Sequence, residues 1–115
     1  MQYMLLIHGD EVKMNAATPA GASMSPDYAA FNEAMGKAGV IVGGERLRPT
    51  TEAVSVRVAG DKTEVLDGPY AETKEQLGGY YVIDVPDMDQ AIAWAARCPA
   101  ARNGTIEVRP VWPTR

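Results

Sequence analysis

The chain carries one histidine, His8, and it is the only side chain expected to titrate near neutrality without help from its surroundings. That makes His8 the natural general acid or base. It closes an apolar run, Tyr3-Met4-Leu5-Leu6-Ile7, and is followed by Gly9 and Asp10. The carboxylates available to orient its imidazole, as in a dyad, are Asp67 and Glu45, and Arg46 can hold an anionic group of a substrate. Asp10, Glu72 and Tyr80 complete the candidate ligand-binding set. Each has a bland reading beside the chemical one. A histidine at a strand end can cap loop backbone, and an Asp before Gly68-Pro69 can bond the turn that follows it.

Other chemistries find less to work with. One histidine among scattered carboxylates, with no second His, does not make a zinc site, and we expect no metal and no cofactor. The pairs Gly43-Gly44 and Gly78-Gly79 fit turns or bulges better than a nucleotide-binding loop. Cys98 is the sole cysteine, which excludes an intramolecular disulfide and fits a reducing compartment. Beside Pro99 at the end of an apparent helix, it reads as a small buried hydrophobe rather than a catalytic thiol. A formal charge of −4 disfavours nucleic acid and anionic membrane as partners. No run approaches the ~18 apolar residues of a membrane span. The N-terminal residues read as a strand rather than a signal peptide, and the expected location is cytoplasmic.

These residues have to be positioned by a fold that 115 residues, 46% of them apolar, can build as one domain. Tyr3 to His8 is a buried strand, and Gly9 to Met24 reads as a long loop. Ser25-Pro26-Asp27 opens a helix with an N-cap, a first-turn proline and an acid near the positive dipole end. Tyr28, Phe31, Met35 and Ala38 share its face, and Gly39 caps it. Val40-Ile41-Val42 is a strand that turns at Gly43-Gly44, and Glu52 to Asp67 alternates as a hairpin about Gly60-Asp61. Tyr80 to Val85 is a strand. Asp87 and Gln90 then form a capping box for a helix that runs to Arg97. Asn103-Gly104 turns into the last strand, Thr105 to Arg109.

The order β-α-β, inserted hairpin, β-α-β predicts an α+β, ferredoxin-like βαββαβ sheet whose first and third core strands are central and antiparallel. That topology collects His8, Asp10, Glu45, Arg46, Asp67, Glu72 and Tyr80 at one end. Alternation along the last strand turns Glu107 and Arg109 away from the helices, to pair with each other or to bind a small anion. The first strand is apolar on both faces, Tyr3, Leu5 and Ile7 on one and Met4 and Leu6 on the other. Two helices on a single side cover only one of those faces, so the sheet of a second copy is expected to cover the other, with the inserted hairpin as the competing cover.

The stretch from Asp67-Gly68-Pro69-Tyr70 through Gly78-Gly79-Tyr80-Tyr81 closely resembles the signature of the YCII-related family, in its DGPF branch, with Tyr70 where the branch name implies Phe. The resemblance extends through Met4-Leu5-Leu6-Ile7, Gly43-Gly44-Glu45-Arg46-Leu47, Ile83-Asp84-Val85-Pro86-Asp87, Ala93-Trp94-Ala95-Ala96-Arg97-Cys98-Pro99 and Glu107-Val108-Arg109-Pro110. It implies a dimeric α+β barrel, a bacterial origin and, for some relatives, association with extracytoplasmic-function sigma factors. Some relatives resemble lyases built on a His/Asp pair with the His on the first helix, and Pro26 to Ala38 contains no His. The expectation is therefore a homodimer with a pocket for a small organic ligand. As an enzyme it would be a cofactor-independent lyase or isomerase using His8 as base; the alternative is a non-catalytic binding or regulatory protein of a sigma-factor system.

Overall fold

The structure, a computed structural model, describes residues 1–17 and 23–114. Along the chain run β1 (Gln2–Gly9), α1 (Glu11–Ala17), α2 (Pro26–Ala38), β2 (Ile41–Arg46), β3 (Val54–Ala59), β4 (Lys62–Asp67), β5 (Gln76–Asp84), α3 (Met88–Arg97) and β6 (Thr105–Pro110). Four strands form one antiparallel sheet in the order β2-β5-β1-β6, and β3 pairs with β4 in a separate two-stranded sheet. This is the ferredoxin-like arrangement, with β1 and β5 central and the hairpin inserted between the halves.

Alternation along β1 sorts its side chains: Tyr3, Leu5 and Ile7 are buried, while Met4, Leu6 and His8 are half-buried. The buried face packs against α2 through Phe31 and Met35 and against α3 through Ala91 and Ala95. Phe31 meets Tyr81 edge-on, ring centroids 5.5 Å apart. Cys98 lies in this core, with its thiol 3.8 Å from the Tyr28 hydroxyl. Burial raises the Cys98, Tyr28 and Tyr81 pKa values above their usual ranges.

Capping follows the sequence signals. Ser25 Oγ accepts from the Tyr28 N–H, Asp87 from the Gln90 N–H, and Gly39 closes α2 at φ 70°. Two expectations need correction. The segment after β1 is not one long loop, because α1 fills 11–17, started by Asp10, whose Oδ1 accepts from the Val12 and Lys13 N–H groups. At seven residues α1 is too short to show helical periodicity; the rest of the expected loop, at 18–22, lies outside the described residues. Gly43-Gly44 is not a turn either, since β2 continues through it with a register shift. A matching shift occurs where Ile7 and His8 pair with Gly79 and Leu77. Both glycine pairs thus sit at bulges, where a strand bends without ending.

Candidate functional site

The cross-strand register decides which side chains share the face away from the helices. Leu6 lies opposite Tyr80 and Glu107, Tyr80 opposite Glu45, and Met4 opposite Val82 and Arg109. Directly paired residues point to the same face of a sheet. The open face therefore carries Met4, Leu6, His8, Glu45, Tyr80, Val82, Thr105, Glu107 and Arg109, an apolar stripe along the two central strands with charged groups on the outer ones. His8 ends β1 opposite Thr105, at the same end as the start of β5 and the close of β2.

The His8 Nε2 is shielded from solvent and makes no hydrogen bond. Glu107 Oε1 lies 3.4 Å from it, within ion-pair range but off hydrogen-bond geometry. The other oxygen, Oε2, accepts from Arg109 Nε at 2.8 Å. Glu107 thus stands between an imidazole and a guanidinium on adjacent strands. Thr105 Oγ1, beside His8, donates to Glu75 Oε1 at 2.8 Å, which brings one loop carboxylate over this strand end. The arrangement sets an imidazole beside a carboxylate, the pairing that acid–base chemistry uses, next to the apolar Leu6 and Tyr80.

The remaining predicted residues fall in three places. Glu45 shares the open face but is two strands from β1. At ~4.8 Å per strand and ~3.3 Å per residue its Cα is roughly 12 Å from that of His8, at the far edge of the same face. Arg46 alternates with Glu45 onto the helix side, where its guanidinium donates to Asn15 Oδ1 at 3.3 Å, so the sheet separates it from His8. Asp10 is occupied as the cap of α1. Asp67 ends β4 opposite Val54, in the hairpin sheet. Glu72 lines a separate open groove of about 270 Å³ with Thr50, Pro69, Ala71, Thr73 and Gln76. Neither Asp67 nor Glu72 pairs with His8 among the described residues, where His8 has Glu107 as its ion-pair partner. Among them, too, no three His, Cys, Asp or Glu side chains gather as a metal site.

Glu107 is the residue the sequence pattern placed on the right face without joining it to His8. The signal was available: β6 begins at the end where β1 finishes, so residues on the same face near Thr105 must neighbour His8.

Comparison with known proteins settles the family. A family model described as the YCII-related domain matches residues 1–115. The chain belongs to the YCII-related family. It is also similar to an uncharacterized protein of Rhizobium meliloti (strain 1021), 37% identical over 114 residues that cover 96% of this chain and 92% of the relative. This YCII-related chain has, among its described residues, no helix long and apolar enough to cross a membrane.

Proposed function

We propose that this YCII-related protein, of the DGPF branch, is a homodimeric cytoplasmic pocket protein that performs cofactor-independent proton transfer on a small organic acid, a lyase or isomerase step. The observation that carries the reading is the His8 Nε2, withdrawn from water and without a hydrogen bond, facing the Glu107 carboxylate. A buried polar atom without a partner is costly, and such atoms concentrate where a ligand completes the set. His8 takes a proton from the substrate and returns it to a neighbouring atom. Glu107 steadies the imidazolium formed in between, a role we assign to it rather than to Asp67 or Glu45. Arg109, on the same face and largely exposed, receives the substrate's anionic group, the role sequence reasoning gave to Arg46. Leu6 and Tyr80 form the floor.

The dimer follows from the same face. Met4, Leu6, Tyr80 and Val82 are only half-covered by their own chain, and a second sheet laid over them by a two-fold axis encloses the pocket. The buried, free Cys98 suits a reducing compartment.

A thermal-shift screen of small organic acids against the wild-type protein and His8→Ala tests the proposal. At least one acid should stabilise the wild type and lose that effect in the variant; no shift from any acid would remove the pocket's main support. Light scattering at low micromolar concentration should give a dimer mass. A second reading, a non-catalytic regulatory protein bound to an extracytoplasmic-function sigma factor, is favoured by Trp112, which is 87% exposed in the C-terminal tail. It predicts no stabilising acid.

A further inference from the structure

The β3–β4 hairpin has two unlike faces. Val54, Val56 and Val58 lie opposite Asp67, Val65 and Thr63, so one face is a valine surface with a single charge at its base. Ser55, Arg57 and Ala59 lie opposite Leu66, Glu64 and Lys62 on the other. That second face is mixed: Leu66, 61% exposed, sits among charged side chains, and the contacts are local, with Ser55 Oγ donating to the Gly68 carbonyl at 2.9 Å and the Arg57 guanidinium 5.8 Å from the Tyr70 ring centre. Among the described residues the valine face has no contact of that kind. Val54, Val56, Val58 and Val65 are 59–63% exposed.

An isolated two-stranded hairpin is marginal in water, so a long one with a bare apolar face needs a surface to lie on. The described residues do not supply it. Its radius of gyration is 15.8 Å, against the ~13 Å of a compact chain of this length, so the hairpin stands off as an arm.

We propose that the arm is a dimer clasp: the valine face of each hairpin packs on a second copy of the chain, adding to the sheet-on-sheet contact. The inference rests on the dimer of the preceding subsection and deepens it. Area argues for a second copy. The open face of a four-stranded sheet with strands of six to nine residues measures roughly 19 by 24 Å, near 450 Å². A standard interface needs about 800 Å² from each partner. A two-stranded arm of six-residue strands offers ~200 Å². In a two-fold dimer each copy contributes its arm and also receives one, which closes the difference. Charge argues the same way, since a membrane surface would require a basic arm and the valine face has no basic residue. The arm leaves β2 and re-enters β5 at the end where His8 stands, so clasping also steadies the pocket mouth.

Sedimentation equilibrium on the full chain tests the clasp with Val56→Glu/Val65→Glu on the valine face, Arg57→Glu on the opposite face and Leu6→Glu on the sheet. The valine-face variant should raise the dimer dissociation constant at least a hundredfold and keep its far-UV circular dichroism, because those side chains touch little in the monomer. Arg57→Glu should leave the constant within threefold. In the wild type, amide exchange at Val56 and Val65 should slow as concentration rises through the dimer transition. A valine-face variant that dimerises normally while Leu6→Glu does not would overturn the clasp and leave the sheet dimer intact. A monomeric wild type would overturn both. Concentration-independent exchange at Val56 and Val65 would overturn the clasp even if the double variant failed to fold.

Discussion

Gly104 packs against the backbone carbonyl of His8. A Cβ at position 104 would strike that oxygen and would lie 3.1 Å from the carbonyl of Ala100. Both obstacles are backbone, so neither can rotate away. The close approach is what lets the 3-10 turn at Pro99–Arg102 feed directly into β6 and bring Glu107 alongside His8.

Gly104→Ala should therefore destabilise the protein by about 1–3 kcal/mol through overpacking. It should also weaken any ligand stabilisation, because the strand that carries Glu107 has to shift. Gly36→Ala is the contrast. Position 36 is inside α2 with nothing within 4 Å of an added Cβ. That change should stabilise by about 0.5–1 kcal/mol. Urea unfolding of the two variants checks both signs.

Glu107→Gln separates a chemical role from a structural one. The carboxylate is 40% exposed, so the stability change should stay below about 1 kcal/mol. A ligand that binds through His8 should nonetheless lose most of its thermal shift. Loss of stability with the shift retained would make Glu107 an ordinary surface partner.

Met35 is fully buried between α2 and the sheet. Met35→Ala should cost about 2–5 kcal/mol, since the lost contacts add to the cavity left behind. Asp87→Ala should cost about 1 kcal/mol, the usual worth of an N-cap. Chemical denaturation with unchanged m-values would confirm both as folded-state effects.

Alkaline stability follows from the buried thiol and phenols. Burial raises the folded-state pKa of Cys98, Tyr28 and Tyr81. Above the ordinary thiol range the unfolded chain loses a proton that the folded chain keeps, so the unfolded state gains free energy of ionisation and stability falls as pH rises. The decline should begin near pH 8.5 to 9 with Cys98 and steepen near pH 10 with the two tyrosines. Cys98→Ala should remove the first part and weaken the second, because the thiol beside the Tyr28 hydroxyl also raises that phenol. In the folded protein at pH 7.5 Cys98 should react with a thiol reagent only as fast as the chain opens.

Most of the frame was legible because local chemistry wrote it. Ser25-Pro26-Asp27, Gly39 and Asp87 with Gln90 mark helix ends through hydrogen bonds made within three residues, and the structure keeps each of them. The period-two pattern of Ile106 and Val108 against Glu107 and Arg109 told which face of β6 meets the helices, and Ile106 and Val108 do pack on the core. Helix α1 escaped because seven residues do not establish a period, and β2 was broken too early because Gly43-Gly44 has the composition of both a turn and a bulge.

The site was legible only as a neighbourhood. Chain order alone brings the end of β1, the end of β2 and the starts of β5 and β6 together, so the candidates belong to one region whatever their side chains do. Which of them meet depends on register, and register is a long-range property: a bulge at Ile7/His8 or one residue of slip moves a side chain to the other face. Pairing put Arg46 behind the sheet, capping engaged Asp10, and Leu6 opposite Glu107 with His8 opposite Thr105 gave the imidazole its carboxylate. Residue type along the chain singled out His8 as the candidate for proton transfer; only the packed strands decided which acid faces it.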